Sequence, residues 1–219
     1  MIVTIDGPAG AGKSTVARRL ARRLDFRFLD TGAMYRAVAW AALERSLPWD
    51  QPNALVALAR HIKIELDGKR VLVDGRDVSE AIRTSETTAV THYAANNPGV
   101  REHLVELQRR AAGNDDIVTE GRDQGTVVFP QAECKIFLTA SPEERARRRV
   151  EDLASRGEEL SLQEVLTQQS ERDRKDEMRD VGPLRAADDS IEFCTDGMTA
   201  DEVVDRLEAL VRSRMKNVT

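Results

Sequence analysis

The 219-residue sequence predicts an α/β protein: a parallel sheet flanked by helices, with an inserted lobe that carries a small antiparallel sheet and a short helical lid. Three observations predict it. Short β-branched runs alternate with amphipathic stretches of helical period, the pattern of parallel βαβ units. The first 24 residues, MIVTIDGPAGAGKSTVARRLARRL, read as strand, glycine loop and helix. Between residues 62 and 75, Asp67-Gly68 and Asp74-Gly75 mark tight turns between apolar runs, an antiparallel hairpin that does not belong inside a parallel sheet.

At the N-terminus, Ile2, Val3 and Ile5 form the strand, and Val16, Ala17, Leu20, Ala21 and Leu24 recur on one helix face. Between them, Gly7, Pro8, Ala9, Gly10, Ala11, Gly12, Lys13, Ser14 and Thr15 match the phosphate-loop pattern G-x-x-x-x-G-K-[ST] in the strand-to-helix setting that its mechanism needs. The glycines let successive N–H groups turn inward, and the helix adds the positive end of its dipole. Lys13 is placed to reach the β and γ phosphates of a nucleoside triphosphate such as ATP, and the Ser14 hydroxyl to ligate Mg²⁺.

Composition bounds the rest. With 41% hydrophobic residues, the chain supports one α/β domain with insertions. Its 33 basic and 38 acidic residues are mixed, for a net charge of −5, so no nucleic-acid-binding tail is expected. No apolar run approaches the ~20 residues that span a bilayer, and a strand leading straight into the phosphate loop is neither signal peptide nor anchor. A cytoplasmic protein without membrane contact is expected. Cys134 and Cys194 are isolated beside apolar segments and read as buried thiols.

Phe26 to Leu29 is the second strand and ends in DTGAMYR, Asp30 to Arg36, the kind of polar strand end where parallel-sheet proteins place ligand groups. Tyr35 and Arg36 fit a site and a plain surface equally well. The following helix runs to Leu43, before Pro48. Residues 37–93 form the expected inserted lobe. Thr84 to Asn96 and Val100 to Ala112 read as helices separated by Pro98; Arg101, in the first turn of the second, reads by itself as solvated. Ile117 to Thr119 is a strand that delivers EGRDQGT, Glu120 to Thr126, where Glu, Arg and Asp crowd between glycines. After the strand KIFLT, Lys135 to Thr139, a capping box of Ser141 and Glu144 with Pro142 starts a helix. On it Arg145, Arg148 and Arg149 share one face. The polar segment Ala154 to Leu160 suits a mobile lid, residues 145–171. Ser161 caps the next helix, where Arg172, Asp176 and Arg179 share a face. Ser190 to Cys194 is the last strand, and Thr199 with Glu202 caps a final helix. The core is expected from 1–36, 94–144 and 172–219.

Lys13, Arg36, Arg101, Arg122, Arg145, Arg148, Arg149, Arg172 and Arg179 are more cations than one triphosphate requires. A second, phosphorylated substrate explains them, and a phosphate acceptor is already a nucleophile, so no general base is demanded. His61, His92 and His103 sit in no triad-like setting. A nucleoside monophosphate kinase follows. A metabolite alcohol as acceptor would need a base, with only Asp123 or Glu120 available; a nucleotide-dependent switch would be supported by an N-K-x-D string, which the sequence lacks.

IDGPAGAGKST, DTGAMYR, IRTSE, EGRDQGTVVFP, SPEERARRR and ERDRKD are similar, in order and spacing, to the bacterial cytidylate kinases, over nearly the whole chain. The resemblance implies transfer from ATP to CMP or dCMP with Mg²⁺ by a monomeric enzyme. It implies that Thr31, Tyr35, Arg36, Arg122 and Arg179 hold the monophosphate, that Arg101 and Asp123 bind cytosine, that Arg172 and Asp176 contact the ribose, and that Arg145, Arg148 and Arg149 lie near the ATP phosphates, as catalytic groups with Lys13 and Arg122. Two positions depart from the pattern: His92 replaces a hydroxyl residue nine positions before Arg101, and Glu120, expected on waters of the metal, replaces Asp.

Overall fold

In the computed structural model, which describes residues 1–68, 70–155 and 157–216, strand β1 (Ile2–Asp6) lies at the centre of a five-stranded parallel sheet. Its neighbours are β6 (Ile117–Glu120) on one side and β7 (Cys134–Thr139) on the other. The order is completed by β2 (Arg27–Leu29) beyond β6 and β8 (Ile191–Cys194) beyond β7. Val3, Thr4 and Ile5 are fully buried, as expected for a parallel strand covered on both faces. The registers Ile5↔Glu120 and Asp6↔Phe137 bring the C-terminal ends of β1, β6 and β7 level. In parallel sheets that edge collects ligand groups.

Two compact units result: Met1–Phe28 with Asp115–Thr219, and Leu29–Asn114. In the first, α1 (Lys13–Leu24) buries the apolar stripe read from the sequence and packs with α8 (Ala200–Met215), whose Val203, Val204, Leu207 and Val211 complete that core. The helices α6 (Pro142–Ala154) and α7 (Leu162–Glu177) form a hairpin with a small core of Ala146, Leu153 and Val165. The expected lid, 145–171, takes in most of this hairpin; its Arg156 lies outside the described residues, as do 217–219 at the end of the expected core.

The second unit holds α2 (Thr31–Glu44), α3 (Pro52–His61), α4 (Ser85–Asn96) and α5 (Pro98–Ala112) around Met34, Val38, Leu55, Ile62, Ile82 and Leu104. Its three-stranded antiparallel sheet is β3 (Ile64–Asp67), β4 (Arg70–Val73) and β5 (Arg76–Asp77), the hairpin expected from the Asp-Gly turns plus one short strand. The unit begins at Leu29 and ends at Asn114, wider than 37–93, because Ala33 and Met34 at the start of α2 and Val100 and Leu104 of α5 belong to its core.

Four expectations need correction. Helix α3 was not anticipated, although Pro52 at its start and Leu55, Leu58 and Ala59 at helical spacing announce it. Ser141 does accept from the Glu144 N–H, yet the other half of the capping box is missing, because Arg147 and Arg148 take the Glu144 carboxylate and hold its pKa down at about 2. Cys134 is buried but Cys194 is exposed, since β8 is the sheet's edge strand. Arg101 is only 2% exposed rather than solvated.

Candidate active site

The loop after β1 is shaped by steric necessity. Gly7, Gly10 and Gly12 all have positive φ, 145°, 80° and 86°. At Gly7 a Cβ would collide with the Leu138 carbonyl, so the backbone of β7 and the loop approach as only glycine permits. Gly12 is the N-cap of α1 and offers no side-chain cap, which leaves the first N–H groups of the helix for a ligand.

Lys13, 6% exposed, folds over this hollow and donates to the Pro8 carbonyl at 2.6 Å. Burial, aided by the nearby charge of Arg122 and opposed by Glu120, lowers its pKa to about 7; Arg172 pushes in the same direction as Arg122. Glu120, Arg122 and Arg172 therefore each lie close enough for their charges to act on Lys13. The Ser14 hydroxyl donates to Glu120 Oε1 at 2.7 Å.

These two oxygens bear on the metal. Hard hydroxyl and carboxylate donors side by side at a phosphate loop suit Mg²⁺, which takes most of its ligands from phosphate and water. Among the described residues, no group of three His, Cys, Asp or Glu is arranged to hold a metal without such help. The donor set fits a cation that arrives with its nucleotide.

Beyond β6, Arg122 donates from Nε to Asp176 Oδ2 at 2.7 Å, and Arg179 donates to the other carboxylate oxygen. Burial pushes Asp176 up, but the two guanidinium charges more than offset this and hold the carboxylate below its usual range. Asp123 is buried beside this pair at the start of a π-helical turn, Gln124–Val128. That turn hangs on Asp6, whose two carboxylate oxygens accept from the N–H groups of Gln124 and Gly125 at 2.9 and 2.7 Å. Burial raises the pKa of Asp6 to about 6.

The three arginines expected on one face of α6 meet different partners. Arg145 is buried and donates to the carbonyls of Ala140 and Ala9 and to Asp173. Arg148 is half-buried, held by Glu144 and by both oxygens of Thr195, with Nη1 4.0 Å from where a Gly12 Cβ would stand. Arg149 is exposed and pairs with Asp152 at 2.7 Å.

In the second unit, Asp30 caps α2 through the Ala33 N–H, so Thr31, buried, opens the helix and Tyr35 and half-buried Arg36 follow one turn later. Arg101 lies with its guanidinium 5.5 Å from the centre of the Tyr35 ring and donates to the Ala95 carbonyl at 3.2 Å. A cation placed on an aromatic face has found a reason to be buried. His92 turns elsewhere: its Nδ1 meets the Ala89 carbonyl and its ring lies 4.1 Å from Tyr93, which stacks on Trp49 at 4.8 Å.

The geometry meets the comparisons at this point. The family model for cytidylate kinase matches residues 3–213. The chain belongs to the cytidylate kinase family. The cytidylate kinase of Rhodopirellula baltica is 54% identical over 212 residues, covering 97% of this chain and 93% of its own length. That of Desulfitobacterium hafniense is 48% identical over 217 residues, covering 98% and 94%. Among solved structures, an uncharacterized protein from Eubacterium ventriosum shares the fold at a TM-score of 0.53 and 12% identity, over 97% of this chain and 98% of its own. As a cytidylate kinase family member the chain is a phosphotransferase with a P-loop core.

Several residues of this candidate site were not evident from the sequence. Asp6 had a local signal, an acid at the end of β1 just before the glycine loop. Thr195, Gln169 and Asp173 had none, because their partners lie 24 to 164 positions away.

Proposed function

We propose that the protein transfers the γ-phosphoryl group of ATP to CMP or dCMP, giving ADP and CDP or dCDP, as a cytoplasmic monomer using Mg²⁺. The observation that carries the reading is that the charges of Arg122 and Arg172 both reach Lys13 of the phosphate loop, in a chain of this family. Like charges held together in a fold await a polyanion.

In the proposed mechanism, the loop amides from Gly10 to Ser14 and the Lys13 ammonium bind the triphosphate, and Lys13 follows the charge that spreads over the moving phosphoryl group. Ser14 and, through water, Glu120 would hold Mg²⁺, which supplies neutralisation of the β and γ oxygens. Thr31, Tyr35, Arg36, Arg122 and Arg179 hold the CMP phosphate, whose ionised oxygen attacks without a base. Arg172 and Asp176 contact the ribose. Arg101 and Asp123 read cytosine, the Asp123 carboxylate accepting from the exocyclic amine. Arg145 is engaged by the loop backbone at Ala9, so Arg148, with Nη1 4.0 Å from the Gly12 Cβ position, is assigned to the ATP phosphates; Arg149, paired at the surface, reaches them only by leaving Asp152.

The test is an ADP-release assay with ATP and Mg²⁺, offering CMP, dCMP, UMP, AMP and GMP separately. Fast turnover confined to CMP and dCMP is expected. Turnover with AMP or GMP alone would retain a kinase and discard the roles of Arg101 and Asp123, and ATP binding without turnover of any acceptor would favour a nucleotide-dependent switch. No helix among the described residues is long and apolar enough to cross a membrane.

A further inference from the structure

Both backbone polar groups of Ala9, the residue at the crest of the phosphate loop, are taken by one buried ion pair. Its N–H donates to Asp173 Oδ1 at 3.2 Å, and its carbonyl accepts from Arg145 Nη1 at 2.9 Å. The pair is closed by Arg145 donating to Asp173 Oδ2, with the two side chains 8% and 12% exposed. Arg145 is itself aimed from behind: Nε donates to the Ala140 carbonyl, and Gln169 Nε2 donates to the Arg145 carbonyl. At Gly10 a Cβ would come within 2.9 Å of Gln169 Nε2 and 3.1 Å of Arg145 Cβ, so the next loop residue rests against the same side chains.

Arg145 lies in the first turn of α6 and Asp173 near the end of α7. The two meet at the base of the hairpin, opposite the end where α6 stops at Ala154 and α7 starts at Leu162. An ion pair so deeply buried is weak evidence for stability, because desolvating both charges costs about as much as their attraction returns, and apolar replacements are often no worse. Its orientation is what an apolar pair could not supply. A carboxylate and a guanidinium can take the N–H of one peptide group and the carbonyl of the next at once and thereby fix the φ and ψ of the residue between them.

We propose that Arg145 and Asp173 are positioning residues that hold the two peptide groups flanking Ala9, and with them the orientation of the loop amides from Gly10 onward that receive the triphosphate. Arg145 thus acts on ATP through the loop backbone rather than by touching phosphate. The hairpin base and the phosphate cradle move as one piece, and a displacement of α6 or α7 at that base reorients the cradle. The proposal deepens the kinase reading and rests on it for the identity of the triphosphate.

The experiment uses the full chain and measures four quantities: melting temperature, affinity for the β,γ-imido analogue of ATP by calorimetric titration, and the separate KM values for ATP and CMP. Asp173→Asn can accept from Ala9 or from Arg145 but not from both, since its Nδ2 faces one of two donors. At least a tenfold loss of analogue affinity and an equal rise in KM for ATP are expected, with KM for CMP within twofold. The double variant Arg145→Met with Asp173→Leu removes both charges and is expected to regain the melting temperature lost by either single change, while the analogue affinity stays low. Gln169→Ala, which unburies no charge, is expected to weaken the analogue about threefold in a folded protein. Recovery of both melting temperature and analogue affinity in the double variant would overturn the proposal, as would KM values for ATP and CMP rising in step. If the wild type binds the analogue normally but phosphorylates no CMP, the acceptor assignment fails and the positioning role stands on the titration.

Discussion

The Ser14 hydroxyl and Glu120 Oε1 meet at 2.7 Å, which ties the first turn of α1 to the end of β6 through the two oxygens best suited to a hydrated cation. Glu120→Gln keeps an acceptor for Ser14 and removes the charge. The Mg²⁺ concentration for half-maximal rate is expected to rise about tenfold, equivalent to ~1.4 kcal/mol, with kcat at saturating Mg²⁺ within a few-fold of wild type. A Mg²⁺ titration of the rate at fixed ATP measures both. An unchanged requirement would remove Glu120 from the metal's surroundings.

The lowered pKa of Lys13 gives a proton signature. With a folded value of about 7 against 10.5 for the free side chain, the nucleotide-free protein holds Lys13 mostly neutral near pH 8. A triphosphate favours the ammonium, so binding takes up a fraction of a proton near pH 8 and almost none near pH 6. Calorimetry of ATP-analogue binding in buffers of different ionisation enthalpy reads that number directly. The linkage to folding has a definite sign: between about 7 and 10.5 the folded chain binds fewer protons than the unfolded one, so nucleotide-free stability contributed by this group rises with pH across that window. Lys13→Met abolishes both effects, and the proton uptake of an unaltered protein with Lys13 at its ordinary value would be nil.

Asp123 is buried within the turn that Asp6 holds in place, which makes its carboxylate a fixed acceptor rather than a mobile one. Asp123→Ala is expected to erase at least a tenfold preference for CMP over UMP, ~1.4 kcal/mol, in kcat/KM. A smaller loss would mean that cytosine is read elsewhere.

Arg101 over Tyr35 predicts a binding defect without collapse. Methionine matches much of the arginine stem and leaves no buried charge, so Arg101→Met is expected to shift the melting temperature by only a few degrees while lowering kcat/KM for CMP about a hundredfold, ~2.7 kcal/mol. A proportional loss with every monophosphate would assign Arg101 to the phosphate rather than to the base.

What the sequence made legible follows how local each constraint is. The strand, glycine loop and α1 are dictated by residues within 24 positions, the cap of α7 by Ser161 and the paired cap of α8 by Thr199 and Glu202; all are found as read, and the structure adds Glu164 as the second half of the α7 cap. Arg145, Arg148 and Arg149 show the opposite case. Helical spacing puts them on one face, yet burial depends on what faces them: Ala9 and Asp173 for the first, Thr195 for the second, Asp152 and solvent for the third. Arg101 looked solvated for the same reason, since nothing near it in sequence announces the Tyr35 ring 66 positions earlier. Asp173 was passed over between Arg172 and Asp176 because its partners, the Ala9 amide and the Arg145 guanidinium, lie 164 and 28 positions away.

Both tryptophans of the chain, Trp40 and Trp49, belong to the Leu29–Asn114 unit, one under the Arg76 guanidinium and the other stacked on Tyr93. The unit that carries the phosphate loop contains none. The intrinsic indole emission of this protein is therefore a one-sided optical channel: it reports the state of the helical unit that holds Tyr35 and Arg101, against a dark background from the rest of the chain, with no label attached.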